Sequence, residues 1–111
     1  MQTKDRENLI TDLEIYEALE IRAKAEFKNP SSMLAQGVHT CYVTPANIVK
    51  VMTHLLTKEP DREGPPGPQK KTSITLSVVQ SQELERLAGR LGISKNALLN
   101  IVAKGLLLGI I

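Results

Sequence analysis

Aromatic residues are scarce in this 111-residue chain, which has no Trp, one Phe and two Tyr. Any core must therefore come from Leu, Ile, Val, Ala and Met, which suits helices packed on helices better than a broad sheet. The same scarcity excludes an RNA-binding platform of stacked rings. Cysteine occurs once, as Cys41, so no intrachain disulfide can form and a reducing cytoplasm is the expected compartment. The opening residues, Met1 to Asn8, hold no apolar run, so no secretory signal is expected there. Long hydrophobic runs are missing as well. The best candidate, Ala97 to Ile111, is shorter than the ~20 residues of a membrane span and is interrupted by Lys104, so no membrane partner is expected.

Catalytic constellations are missing too. There is no Ser-His-Asp set, no Cys-His neighbour pair with an orienting third group, and no glycine loop that follows a strand to cradle phosphate. His39, Cys41 and His54 match no closed zinc set, because the spacing is wrong and a fourth ligand is absent. No enzyme activity, cofactor or metal is expected.

Proline and glycine, by contrast, are concentrated in one place. Residues 58–69, Lys58 to Gln69, carry four prolines and two glycines and no apolar anchor. Proline removes backbone donors and restricts φ, so this stretch is expected to be a stiff, solvated linker. It divides the charge unevenly. Residues 1–69 hold eight basic against ten acidic side chains, whereas residues 70–111 hold six basic (Lys70, Lys71, Arg86, Arg90, Lys95, Lys104) against Glu83 and Glu85. The basic last third is the part suited to a polyanion.

Upstream of the linker, residues 1–57 show helical periodicity. Leu9, Leu13, Tyr16, Leu19, Ala23 and Phe27 recur at steps of three and four and mark one face of a first helix. Asn29-Pro30 and Thr44-Pro45 each pair a capping residue with proline at the first helical position, opening a second and a third helix. A small three-helix unit, serving oligomerisation or partner contact, is expected. Gly37 inside its second helix costs helix propensity and points to a close helix crossing. The carboxylates of Asp12, Glu14, Glu17 and Glu20 read as a wet helix face. The helix pair around Asn29 could be a worn copy of a later one, but no strand is evident before it.

After the linker the period changes. Lys71, Ser73, Thr75 and Ser77 alternate with Thr72, Ile74 and Leu76, as expected for a short strand with one wet face. A helix follows from about Val78 to Leu91, with Gly92 as its left-handed C′ residue. Ser94 caps a last helix that runs to about Leu108 and is apolar around most of its circumference. Forty-odd residues cannot bury such a helix, and a lone strand leaves its backbone unpaired. Both deficits would vanish if two copies paired, strand to strand and helix to helix.

These residues resemble a known family. Lys70-Lys71-Thr72-Ser73-Ile74-Thr75-Leu76-Ser77, then Leu84-Glu85-Arg86-Leu87-Ala88 and Gly92-Ile93-Ser94-Lys95, are similar to the ribbon-helix-helix repressors of the CopG type. The resemblance covers roughly residues 70–108, about a third of the chain, within an expected DNA-binding and dimerisation domain of residues 70–111. It implies that a mainly α chain ends in one short strand plus two helices forming an intertwined homodimer; apart from the resemblance, the N-terminal helices are expected to serve higher oligomers or partner contact. The resemblance also implies a sequence-specific DNA-binding protein, most simply a transcriptional repressor, whose paired strands enter the major groove of double-stranded DNA. Lys71, Ser73 and Thr75 would then contact bases, and Lys70, Ser94, Lys95 and Asn96 would contact phosphates. Lys71 stands where the family often has arginine, and Ser73 is smaller than the threonine frequent there. Plasmid partition or relaxosome accessory work, an antitoxin, or a protein-protein assembly module without DNA binding are the alternatives.

Overall fold

The computed structural model describes residues 4–58 and 68–111, apart from the side chains of residues 4, 5 and 55–58. Among the described residues the order is β1 (Lys4–Asp12), α1 (Leu13–Ala25), α2 (Pro30–Val43), α3 (Ala46–Lys58), β2 (Gln69–Ser77), α4 (Val78–Leu91) and α5 (Lys95–Leu108). The chain is mainly helical around a two-stranded antiparallel sheet, in which β1 pairs with β2 from Lys4↔Ser77 to Asp12↔Gln69. The core of the expected linker, residues 59–67, lies outside the described residues.

The elements after the linker form where local chemistry puts them. Ser77 closes β2 and caps α4 through a capping box, its hydroxyl accepting from the Gln80 N–H while the Gln80 side chain accepts from the Ser77 N–H. Gly92 ends α4 in the left-handed region at φ 69°, a conformation free of penalty only for glycine. The Ser94 hydroxyl then accepts from the Ala97 N–H at 3.0 Å and starts α5. α4 and α5 meet at 101°, and no single helix among the described residues is long and apolar enough to cross a membrane.

The N-terminal expectation needs correction. Three helices do form, and Asn29 caps α2 as anticipated, its side chain accepting from the Ser32 N–H at 2.8 Å with Pro30 at the first position. A strand nevertheless precedes them. Leu9, assigned from its spacing to the first helix, lies in β1 and is wholly buried between the exposed Asn8 and Ile10. Burying one such leucine contributes about 1.5–3 kcal/mol, and a strand is the conformation that sends Leu9 inward and Asn8 outward. Phe27, also assigned to the apolar helix face, is 98% exposed and sits just beyond α1 at φ 57°.

The partner strand expected from a second copy is therefore supplied within the chain. The apolar circumference of α5 is met in the same way. Leu98, Leu99, Val102 and Ala103 are buried in one continuous core with Leu9, Leu19, Leu34, Val38, Ile48, Ile74, Leu76, Leu84 and Leu87. The three-helix unit and the C-terminal unit share this core. Neither buries its apolar side chains separately.

The two halves repeat one another at a constant spacing. Asp12 and Ser77 occupy the N-caps of α1 and α4, Asn29 and Ser94 those of α2 and α5, and Thr44 and Gly109 the matching C-caps. The left-handed residues Phe27 and Gly92 are the same distance apart. On this spacing Asn8 corresponds to Ser73, and the two lie directly opposite each other in the ribbon. An approximate two-fold axis runs through that pair. It meets the helices where Gly37 of α2 faces its own equivalent, Val102 of α5. A Cβ on Gly37 would come within 2.6 Å of Val102 Cγ1, so the close crossing inferred from the sequence is real.

Two stability predictions follow from this geometry. Phe27 pays the left-handed cost that Gly92 avoids, and its exposed ring loses no packing if removed. Phe27→Gly is expected to stabilise by about 0.5–1 kcal/mol in a urea melt, whereas Gly92→Ala destabilises by about 1 kcal/mol. The second concerns Thr11, which is 2% exposed on the inward row of β1, with no hydrogen-bond partner for its hydroxyl among the described residues. Thr11→Val keeps the shape and removes the stranded hydroxyl, so the melting temperature should rise by roughly 4–8 °C, about 1 kcal/mol. A lower melting temperature for Thr11→Val would show that the hydroxyl is satisfied.

Candidate nucleic-acid interface

One face of the ribbon packs on the helices and the other does not. Leu9, Thr11, Ile74 and Leu76 are buried, while Arg6, Asn8 and Ile10 of β1 and Lys71, Ser73 and Thr75 of β2 are exposed. The register lines the outward side chains up in three rows, Arg6 beside Thr75, Asn8 beside Ser73 and Ile10 beside Lys71. A pleated strand sends every second side chain to the same face, so six groups project together from a narrow ribbon. None of the six is a carboxylate. Lys71, Ser73 and Thr75 thus stand on the exposed face as the alternation anticipated. The other half of that face comes from β1 and was missed.

The helix starts flank the ribbon. Ser31, in the first turn of α2, accepts at its hydroxyl from the Thr75 N–H at 3.2 Å. Asn96, in the first turn of α5, accepts from the Ile10 N–H at 2.8 Å and donates to the Ile10 carbonyl at 3.2 Å. Asn100 donates to the same carbonyl at 2.9 Å. Ser31 and Asn96 are equivalents on the repeat spacing, as are Thr75 and Ile10. Each helix start therefore occupies one outer edge of a ribbon that has no third strand among the described residues, and edge groups left bare would template further pairing.

The residues expected to grip phosphate are placed differently from one another. Ser94 is the α5 N-cap, where the helix dipole favours an anion. Asn96 has its amide engaged on β1, so it positions the ribbon instead of projecting from it. Lys95 reaches back to Glu7, at 3.3 Å from Oε2. Glu7, 12% exposed at its side chain, also accepts from the Ser81 hydroxyl at 2.8 Å. Lys70 is exposed at the end of β2, with its ammonium 5.7 Å from the centroid of the Tyr16 ring. Such a cation–π contact holds a charge in place while leaving it open to solvent.

His39 Nδ1 lies 2.9 Å from Glu83 Oε2, and Glu83 is almost fully buried beneath it on α4. Cys41 is wholly buried, and burial pushes its thiol up to about 11. No group of three metal-capable side chains occurs among the described residues. Glu14, Glu17 and Glu20 are exposed on α1, the wet face expected of them.

Comparison with protein-family models, with curated proteins and with solved structures finds no match for this chain. The site therefore rests on its own residues. A signal for the missed half was present in the sequence. Leu19-Glu20 with Ala23 repeats as Leu84-Glu85 with Ala88 at the spacing that relates Asn29 to Ser94. Carried back by that spacing, the strand Lys71 to Ser77 falls on Arg6 to Asp12.

The edge contacts make a testable prediction. Asn96→Ala removes the acceptor of the Ile10 N–H and one of two donors to its carbonyl, at a site open to water. A destabilisation of about 1 kcal/mol is expected by thermal melting, with faster amide exchange at Ile10. Unchanged exchange at Ile10 would show that α5 does not secure the edge.

Proposed function

We propose that this chain is a sequence-specific DNA-binding protein of ribbon-helix-helix architecture, in which both strands and both helix pairs belong to one polypeptide. The observation that carries the reading is the exposed outer face of the β1–β2 ribbon, with Arg6 and Lys71 at its two ends and no carboxylate in the three rows between them. A two-stranded ribbon fits a major groove about 12 Å wide, where base edges present donors, acceptors and thymine methyls. Arg6 is suited to a bidentate contact with guanine, Asn8 to one with adenine, and Lys71 to a point-charge contact with guanine. Ser73 and Thr75 bring hydroxyls that donate or accept.

The flanking elements supply position without sequence. The capped start of α5, with Ser94 and Lys95, and the exposed Lys70 are the phosphate-facing groups. The resemblance of residues 70–108 to the repressor family supports the same reading, and a repressor in the cytoplasm is its simplest form. Partition, relaxosome and antitoxin roles use the same surface and differ in what else is recruited.

A specific feature favours a second reading, a protein-binding ribbon. Ile10 is 38% exposed in an otherwise polar face, and Lys95 is partly neutralised by Glu7. The two readings separate on one measurement. If DNA is the ligand, selection from random duplexes enriches a motif, and affinity falls about tenfold between 50 and 200 mM salt for every two phosphates engaged. Lys71→Ala and Arg6→Ala should each weaken binding to the enriched site at least tenfold with unchanged melting. Failure to enrich any sequence at 50 mM salt would overturn the DNA reading.

A further inference from the structure

We infer that the DNA site is non-palindromic and is covered by a single chain. The inference rests on the proposed groove-reading role of the ribbon and concerns what that ribbon can distinguish.

A ribbon made of two identical strands presents the same side chains twice about an exact two-fold axis, and its preferred site is a palindrome. This ribbon has the axis, through Asn8 and Ser73, without the identity. At one end Arg6 stands beside Thr75, a bidentate fork next to a hydroxyl. At the other end Lys71 stands beside Ile10, a point charge next to an apolar group. Arginine takes guanine O6 and N7 together, and Ile10 has only apolar contact to offer, which among base edges suits the thymine methyl. At the centre Asn8 matches adenine N6 and N7 on one strand, while Ser73 matches either class of base. Arg6 and Lys71 both suit guanine, so the ends differ in the neighbour each carries, a hydroxyl from Thr75 at one and the apolar Ile10 at the other, and the centre favours one orientation.

The flanks repeat the asymmetry. α5 begins with Lys95 after its Ser94 cap, whereas α2 begins with Pro30 after Asn29. Proline has neither charge nor N–H, so the α2 start offers a phosphate less than the α5 start does.

The helix crossing explains why one chain completes the site. Gly37 of α2 meets Val102 of α5 across the axis, and a Cβ on Gly37 would press into Val102. Pairing two C-terminal halves would set Val102 against Val102 in that space, and pairing two N-terminal halves would leave it empty. The unlike halves fit, and both are in the same polypeptide.

The test uses the whole chain. Duplexes selected from a random pool should yield a motif without two-fold symmetry, and native mass spectrometry of the complex should show one chain per duplex. The protein should prefer that motif to either of its symmetrised versions by about tenfold or more. The triple variant Arg6→Lys, Asn8→Ser, Ile10→Thr gives β1 the outward residues of β2. All three positions are exposed, so folding is retained, and its selected motif should become palindromic. A palindromic wild-type motif, or two chains on each minimal site, overturns this inference and leaves DNA binding standing. No enriched motif at all overturns the DNA reading beneath it.

Discussion

The structure depends on the pairing of β1 with β2. Each strand has one outer edge against a helix start, and its inner edge faces only the other strand. An unpaired strand of this length would strand its backbone donors and acceptors, so the ribbon forms as a whole or not at all. Its formation joins the N-terminal strand to one that follows the linker and sets two helix pairs on the same side. Leu9, Ile74 and Leu76 then point into the space those helices enclose, and the core closes over them. Folding by this route requires long-range contact early, because neither half has a finished core to rest on.

Pairing unlike halves permits contacts that identical halves cannot make. Gly37 against Val102 is the clearest case, since a small residue opposite a β-branched one fills the crossing without strain. The same freedom shows in the polar contacts. Ser31 needs one bond to hold Thr75, while Asn96 and Asn100 together make three to Ile10. Glu7 reaches Ser81 and Lys95 on the second half, whereas its counterpart Thr72 carries no charge. His39 and Glu83 likewise tie α2 to α4, and their counterparts Lys104 and Ala18 cannot form such a pair. Each contact crosses between halves, so each resists separation of the two.

The second half was legible from its sequence because its local signals agree with one another. Alternation in Lys71 to Ser77, the Ser77 and Ser94 caps and Gly92 all point to the same elements at the same places. The first half obscured its strand because those signals conflict. The inward row of β1 is Glu7, Leu9 and Thr11, with a single strong apolar residue, while Ile10 faces outward. Leu9, Leu13 and Tyr16 then fall at helical steps by coincidence of a strand running directly into a helix. Phe27 hid the helix end for a related reason, as an aromatic ring at a left-handed position imitates one more turn of apolar periodicity. Half of the candidate surface, Arg6, Asn8 and Ile10, disappeared with the strand.

A greasy helix and an unpaired strand do require a second copy of the unit, as their chemistry demands. That requirement says nothing about which molecule the copy belongs to. A second unit in the same chain is always at hand, so the cost of bringing two chains together disappears and dilution no longer separates them. It also frees each outward position to vary without its partner, because a substitution no longer appears twice. Contacts across the axis must change in complementary pairs, as Gly37 and Val102 show. Side chains on the exposed face answer only to what they touch, so Arg6, Asn8 and Ile10 are free to differ from Lys71, Ser73 and Thr75.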